Sequence, residues 1–148
     1  MTLREALIRY LTEKEIRGPE TPAERLYADD WFRFYVGHRS IKVIKLTSMM
    51  DSVAIHDTHH LLTGYGTDVR GEAEITAWEL ASGGCGRHWA MWLDRLVAVP
   101  TLVVFYPRAA WAAAKRGWRE SNLYGADFER VLGEDLDAVR DRVSARSR

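Results

Sequence analysis

Two histidines and an aspartate stand where a helix should carry apolar side chains, and any fold of this chain must satisfy them. From Leu46 to Thr63 the sequence runs in helical phase. At about 100° per residue, Leu46, Met49, Met50, Val53 and Leu61 share one side with His56, Asp57 and His60. Ser48, Asp51, Ser52, Thr58, His59 and Thr63 take the other side, with Ile55 and Leu62 as apolar exceptions. Turning the first side inward would bury a carboxylate, which costs several kcal/mol without a partner.

One divalent ion would satisfy these groups together. Histidines at i and i+4 lie one turn apart and can grip a single ion. Asp57, three residues before His60, borders the same ion. Glu72, separated from His60 by eleven residues, falls in the first turn of the next helix and can close the shell. Two imidazoles and two carboxylates suit zinc, manganese or ferrous iron, with zinc the first expectation. Magnesium prefers all-oxygen sites. The competing reading is a hydrogen-bonded network with no ion. His59 lies about 160° from Asp57 on the wheel, so the two do not serve one ion. It reads as a surface residue or as support behind the ligands. Glu79 reads as a solvated helix glutamate, with a role behind the metal site as the alternative.

The remaining punctuation is also helical. Thr2 can cap a helix carrying Leu3, Ala6, Leu7, Tyr10 and Leu11, and Gly18-Pro19 breaks it. Thr21-Pro22-Ala23-Glu24 reads as a capping box for a second helix reaching Val36 and ended by Gly37. Residues 40–46 alternate as a short strand would, but helical continuity with the next segment favours helix. Gly64-Tyr65-Gly66 ends the histidine helix. Thr67 or Asp68 caps the next one, which Gly83-Gly84 stops. Further helices are expected over 87–97, 107–120, 127–132 and 135–144, with 101–106 either extended or a short buried helix. Seven to eight helices in one domain spanning 1–148 give an all-α fold.

Bulk properties exclude several classes. A chain of 148 residues with 47% hydrophobic and 28% charged composition can build one core unaided. Twenty-one basic and twenty-one acidic residues leave no basic excess for nucleic acid. The single cysteine, Cys85, permits no intrachain disulfide. The first residues lack the layout of a signal peptide, and Asp94, Arg95 and Pro100 interrupt the longest apolar stretch. The expected compartment is the cytoplasm. Trp89, Trp92, Leu93 and Leu96 form an apolar stripe that reads as core packing or as the wall of a tunnel for an isoprenoid tail. Trp111 and Trp118 flank Ala112-Ala113-Ala114, small residues suited to close helix approach or to a greasy slot. A Cys85–His88 nucleophile pair would need an orienting group and a lowered thiol pKa, whereas the composition of the Gly83-Gly84-Cys85-Gly86 loop already explains the cysteine. His38 reads as a surface turn residue.

His56-Asp57-x-x-His60, eleven residues and Glu72, with Leu62 to Asp68 between them, resembles the coenzyme Q (ubiquinone) biosynthesis protein four family. The stretch from Gly117 to Arg140, with Asn122-Leu123 and Leu136 to Arg140, is similar to that family's C-terminal end. The likeness is strong over about residues 50 to 80. It implies an all-α fold, His56, Asp57, His60 and Glu72 as metal ligands, an isoprenoid partner and peripheral membrane contact. The activity it implies is removal of the ring carboxyl from a polyprenylated hydroxybenzoate with hydroxylation of the vacated carbon. Family members usually carry an aromatic residue where this chain has His59. The expected partners are a prenylated quinone precursor or related lipid and other quinone-biosynthesis proteins, with a homodimer left open and nucleic acid excluded. A non-catalytic, metal-stabilised lipid scaffold and a metal phosphohydrolase are the competing functions.

Overall fold

The computed structural model describes residues 1–13, 31–36, 39–45 and 47–145. Among them are seven helices and one hairpin: α1 (Leu3–Glu13), β1 (Trp31–Val36), β2 (Arg39–Lys45), α2 (Thr47–Thr63), α3 (Val69–Ala81), α4 (Trp89–Phe105), α5 (Pro107–Gly117), α6 (Phe128–Leu132) and α7 (Leu136–Ser144). The body is helical, as the punctuation predicts. Thr2 caps α1 as expected and does so in a reciprocal box. Its hydroxyl accepts from Glu5 N–H at 3.3 Å, and Glu5 accepts from Thr2 N–H at 2.9 Å. Asp68, Asp127 and Asp135 cap α3, α6 and α7 with side-chain hydrogen bonds.

The hairpin corrects the sequence reading at two places. The helix expected to reach Val36 and the one favoured over 40–46 are instead antiparallel strands, pairing Trp31 with Lys45 and Val36 with Arg39. Trp31-Phe32-Arg33-Phe34-Tyr35-Val36 is aromatic or β-branched at every position but Arg33, and Ile41, Val43 and Ile44 match it. Such residues suit a pleated surface better than a helix. The break at Gly18-Pro19, the capping box at 21–24 and His38 lie outside the described residues. A second correction concerns 101–106. It is not extended, because α4 carries Pro100 within it and continues to Phe105, with Val104 and Phe105 exposed.

The core is built around α3. Ile75 and Trp78 are fully buried, joined by Leu3, Leu7 and Leu11 of α1, Leu123, and Val139 and Val143 of α7. The chain ends meet there, with Leu3 N–H donating to Glu134 O and Leu136 N–H to Met1 O. Ala113 and Gly117 let α5 approach α3 closely. A Cβ on Gly117 would lie 2.6 Å from the Trp78 carbonyl oxygen; within the alanine run, Ala113 is buried and Ala114 lines a cavity. Trp78 Nε1 donates to Glu120 at 2.7 Å, and Arg116 binds Glu120 and the Thr63 carbonyl. These bonds lock α3, α5 and the end of α2. No helix among the described residues is long and apolar enough to cross a membrane.

Candidate metal centre

His56 and His60 project one turn apart from α2, and the turn after α2 delivers Glu72 beneath them. Gly64 closes α2 at φ +77°, its N–H donating to His60 O. The chain then folds back on the first turn of α3. A Cβ on Gly71 would sit 1.9 Å from the Gly66 carbonyl oxygen, so only glycine permits this approach. Gly71→Ala is expected to push the turn off α3 and displace the neighbouring Glu72. Ion affinity should fall at least tenfold while circular dichroism still reports a helical protein. Unchanged affinity would show that this contact does not place Glu72.

The three side chains converge. His56 Nε2 and His60 Nε2 lie 3.2 Å apart. Glu72 places one oxygen 3.4 Å from His56 Nε2 and the other 3.3 Å from His60 Nε2. Donor atoms of the three lie within 4.8 Å of one another, so the cluster can hold a metal ion. Tetrahedral bonds of about 2.0–2.1 Å put neighbouring ligand atoms about 3.3 Å apart. The two imidazole nitrogens already have about that separation, and each faces a different oxygen of Glu72. Each ring is also held from behind. His56 Nδ1 is 2.9 Å from Glu79, and His60 Nδ1 is 3.1 Å from the Tyr65 carbonyl. Both rings thus offer Nε2 to the ion and Nδ1–H to an oxygen acceptor.

Of the four expected ligands, Asp57 is not in this cluster. It is half-buried on α2. Burial raises the pKa of the Tyr10 hydroxyl, and the charges of Asp57 and Glu72 raise it further. That hydroxyl is buried and has no hydrogen-bond partner among the described residues. Glu72 keeps 37% of its side chain exposed, so the centre lies at the edge of the core. Burial opposes its ionisation, but hydrogen bonds from His56 and His60 outweigh it and hold the pKa at about 2.

His59 is not a surface residue. It and its neighbours Ser52, Ile55 and Thr58 are buried, so the helix side read as solvent-facing is the deeper one. The polar groups there are satisfied locally. Thr58 donates to Ala54 O at 2.8 Å, and Ser52 lies 2.7 Å from His88. His59 Nδ1 donates to Glu79 at 2.7 Å, and Nε2 accepts Leu123 N–H at 3.0 Å. Both nitrogens are used, and burial, first among the causes, lowers the pKa. The ring is neutral and has no lone pair for an ion. It packs edge-on against Trp78 and Tyr124.

Glu79 is likewise not solvated. It is fully buried and collects His56, His59, Arg95 at 2.5 Å and Tyr124 OH at 3.1 Å. Burial raises its pKa, but the hydrogen bonds from His56 and His59 prevail and keep it ionised. Arg95 escaped the sequence reading, although a lone arginine inside the apolar stretch from Trp89 to Tyr106 was a usable signal. His88 points elsewhere, toward Ser52 and the Tyr124 carbonyl, and Cys85 is fully buried.

The apolar stripe is not core. Trp89, Trp92, Leu93 and Leu96 are exposed on α4. Trp92 donates its indole N–H to Gly86 O, and a Cβ on Gly84 would meet its ring at 2.8 Å. A separate cavity of about 390 Å³ lies between α3, α4 and α5, lined by Thr76, Ala77, Leu80, Val99, Trp111 and Trp118 among others. The Thr76 hydroxyl is buried there without a hydrogen-bond partner among the described residues. Thr76 follows Glu72 by one turn of α3, but His56, His60 and Glu72 do not line the slot.

Fold and site together define a mostly helical protein with a two-histidine, one-carboxylate cluster able to hold a metal ion. No family model, curated protein or solved structure matches the chain.

Proposed function

We propose that the chain is a metal-dependent enzyme acting on a prenylated hydroxybenzoate, removing the ring carboxyl and hydroxylating the vacated carbon. The observation that carries this reading is the triad His56, His60 and Glu72, with no fourth donor in the cluster among the described residues. A two-histidine, one-carboxylate set with open positions suits ferrous iron in oxygenases and also suits catalytic zinc. Bound there, a divalent ion supplies Lewis acidity toward a phenol or carboxylate oxygen and, as iron, the activation of dioxygen. The chain's own groups hold the polar head: Tyr10 offers an unpartnered buried hydroxyl, and Asp57 stands near it. The slot beside Thr76 suits the apolar tail. The exposed face of α4, with Trp89, Trp92, Leu93 and Leu96, suits contact with a lipid surface.

That exposed face also favours the second reading, a scaffold that presents the lipid to other quinone-biosynthesis proteins. Turnover separates the two. Protein loaded with iron or zinc, given a prenylated hydroxybenzoate and dioxygen, should release carbon dioxide and yield a hydroxylated ring by mass spectrometry, with water supplying the new oxygen and dioxygen taking up two electrons to form hydrogen peroxide. Binding without turnover under either ion would overturn the enzyme and leave the scaffold.

Tail length supplies a further expected result. A buried methylene contributes about 0.8 kcal/mol before ordering costs, so affinity should climb steeply along a tail series. Ala77→Phe, which fills the slot, should flatten that climb and leave the ion in place. Fluorescence titration of the series checks both, and a flat series for the wild type would remove the lipid reading.

A further inference from the structure

We infer that Glu79 is the positioning residue of the metal centre, the group that fixes the ring of His56 so that Nε2 meets the ion. This rests on His56, His60 and Glu72 being the ligands. Four donors from three parts of the chain converge on this one carboxylate: His56 and His59 of α2, Arg95 of α4, and Tyr124 before α6. A buried charged group is a poor source of stability, since apolar packing of equal volume does as well or better. The arrangement is explained by what it does to His56. Glu79 accepts Nδ1–H at 2.9 Å, which commits the lone pair to Nε2, 3.4 Å from Glu72 and 3.2 Å from His60. A carboxylate behind a ligating imidazole fixes its tautomer and raises its basicity. Arg95 balances the charge. Its Nη2 also lies 3.0 Å from His56 Nδ1, so the two donors share one acceptor side by side. Arg95, buried at 4% exposure, donates to the other carboxylate oxygen, Oε2. His59 completes the cradle by spending Nδ1–H on the same oxygen and its Nε2 on the backbone of Leu123.

The test is cobalt binding by the full chain, read by competition with a chromophoric chelator and by the visible absorption of the bound ion. Glu79→Gln should lower cobalt affinity about 10- to 100-fold, the range found when such supporting partners are lost, and should alter the visible bands. Tyr124→Phe removes another bond to Glu79 without touching His56. It should lower the melting temperature yet keep the affinity within about threefold, the scatter of small indirect effects. Glu79→Asp should recover part of the affinity. Wild-type binding and spectrum in a folded Glu79→Gln variant would overturn the inference while leaving the ligand set standing. A wild-type chain that binds no cobalt would remove the ligand set itself. Should Glu79→Gln fail to fold, nitrogen-15 spectra of zinc-loaded wild-type protein decide the matter. His56 should show Nδ1 protonated and Nε2 on the ion, and the reverse assignment would overturn the role of Glu79.

Discussion

His60→Ala is expected to abolish retention of a divalent ion. Structural zinc sites contribute about 10–16 kcal/mol, so one ligand of three or four supplies on the order of 4 kcal/mol, a loss of roughly a thousandfold in affinity. The residue also spans the centre, with Nε2 facing both His56 and Glu72 and Nδ1 held by Tyr65 O. His59→Ala tests the opposite case. It removes a buried ring and a hydrogen bond to Glu79, so stability should fall by about 1–3 kcal/mol. Ion retention should survive, because neither ring nitrogen of His59 is available to a metal. Elemental analysis after exhaustive dialysis reads both. Loss of the ion in His59→Ala and its persistence in His60→Ala would exchange the two roles.

Ion binding is expected to release one proton between about pH 6.5 and 9. Burial disfavours the imidazolium of His56, but hydrogen bonds to Glu72 and Glu79 outweigh it and raise the pKa from 6.5 to about 9. A raised folded pKa means that, in ion-free protein, this group's stabilisation is full below pH 6.5 and is lost as pH rises through about 9. Glu72 behaves oppositely. Its pKa, lowered from 4.5 to about 2, gives stability present above pH 4.5 and lost as pH falls through about 2. An ion needs the lone pair on His56 Nε2, so within the upper window it displaces that proton. Apparent affinity should strengthen about tenfold per pH unit until His56 is neutral, then level off. The gain in melting temperature on loading should widen over the same range. Calorimetric titration in buffers of different protonation enthalpy counts the proton, and zero release at about pH 7.5 would place the ion elsewhere.

Helices α2, α3, α6 and α7 were legible because each is bounded by local chemistry: Gly64 and Gly66 after α2, Asp68 before α3, Asp127 and Asp135 before α6 and α7. The end of α4 was not, since the helix runs through Pro100 to Phe105 instead of stopping at Val97. His56, His60 and Glu72 were legible for a related reason, since i, i+4 spacing and a first-turn glutamate are set by helix geometry. The burial of His59 was not. The wheel identified which residues share a side, but neighbouring helices decide which side is covered, and α2 buries Ser52, Thr58 and His59 through local and long-range hydrogen bonds. Arg95 was missed, and the role of Glu79 behind the metal site stood only as the alternative to a solvated glutamate, because their pairing joins α3 to α4 across sixteen residues. The hairpin was missed by preferring continuity of phase over the β-branched and aromatic content of 31–36 and 41–44. Trp89, Trp92, Leu93 and Leu96 show the same limit. An apolar helical stripe reads identically whether it faces a core or a partner, and here it is exposed.

X-ray absorption of the zinc-loaded chain tests the central claim most directly. A nitrogen and oxygen shell at about 2.0–2.1 Å, with the outer scattering of two imidazoles, is the result predicted for His56, His60 and Glu72. A sulfur shell at about 2.3 Å, which would bring in Cys85, or fewer than two imidazoles, would contradict it.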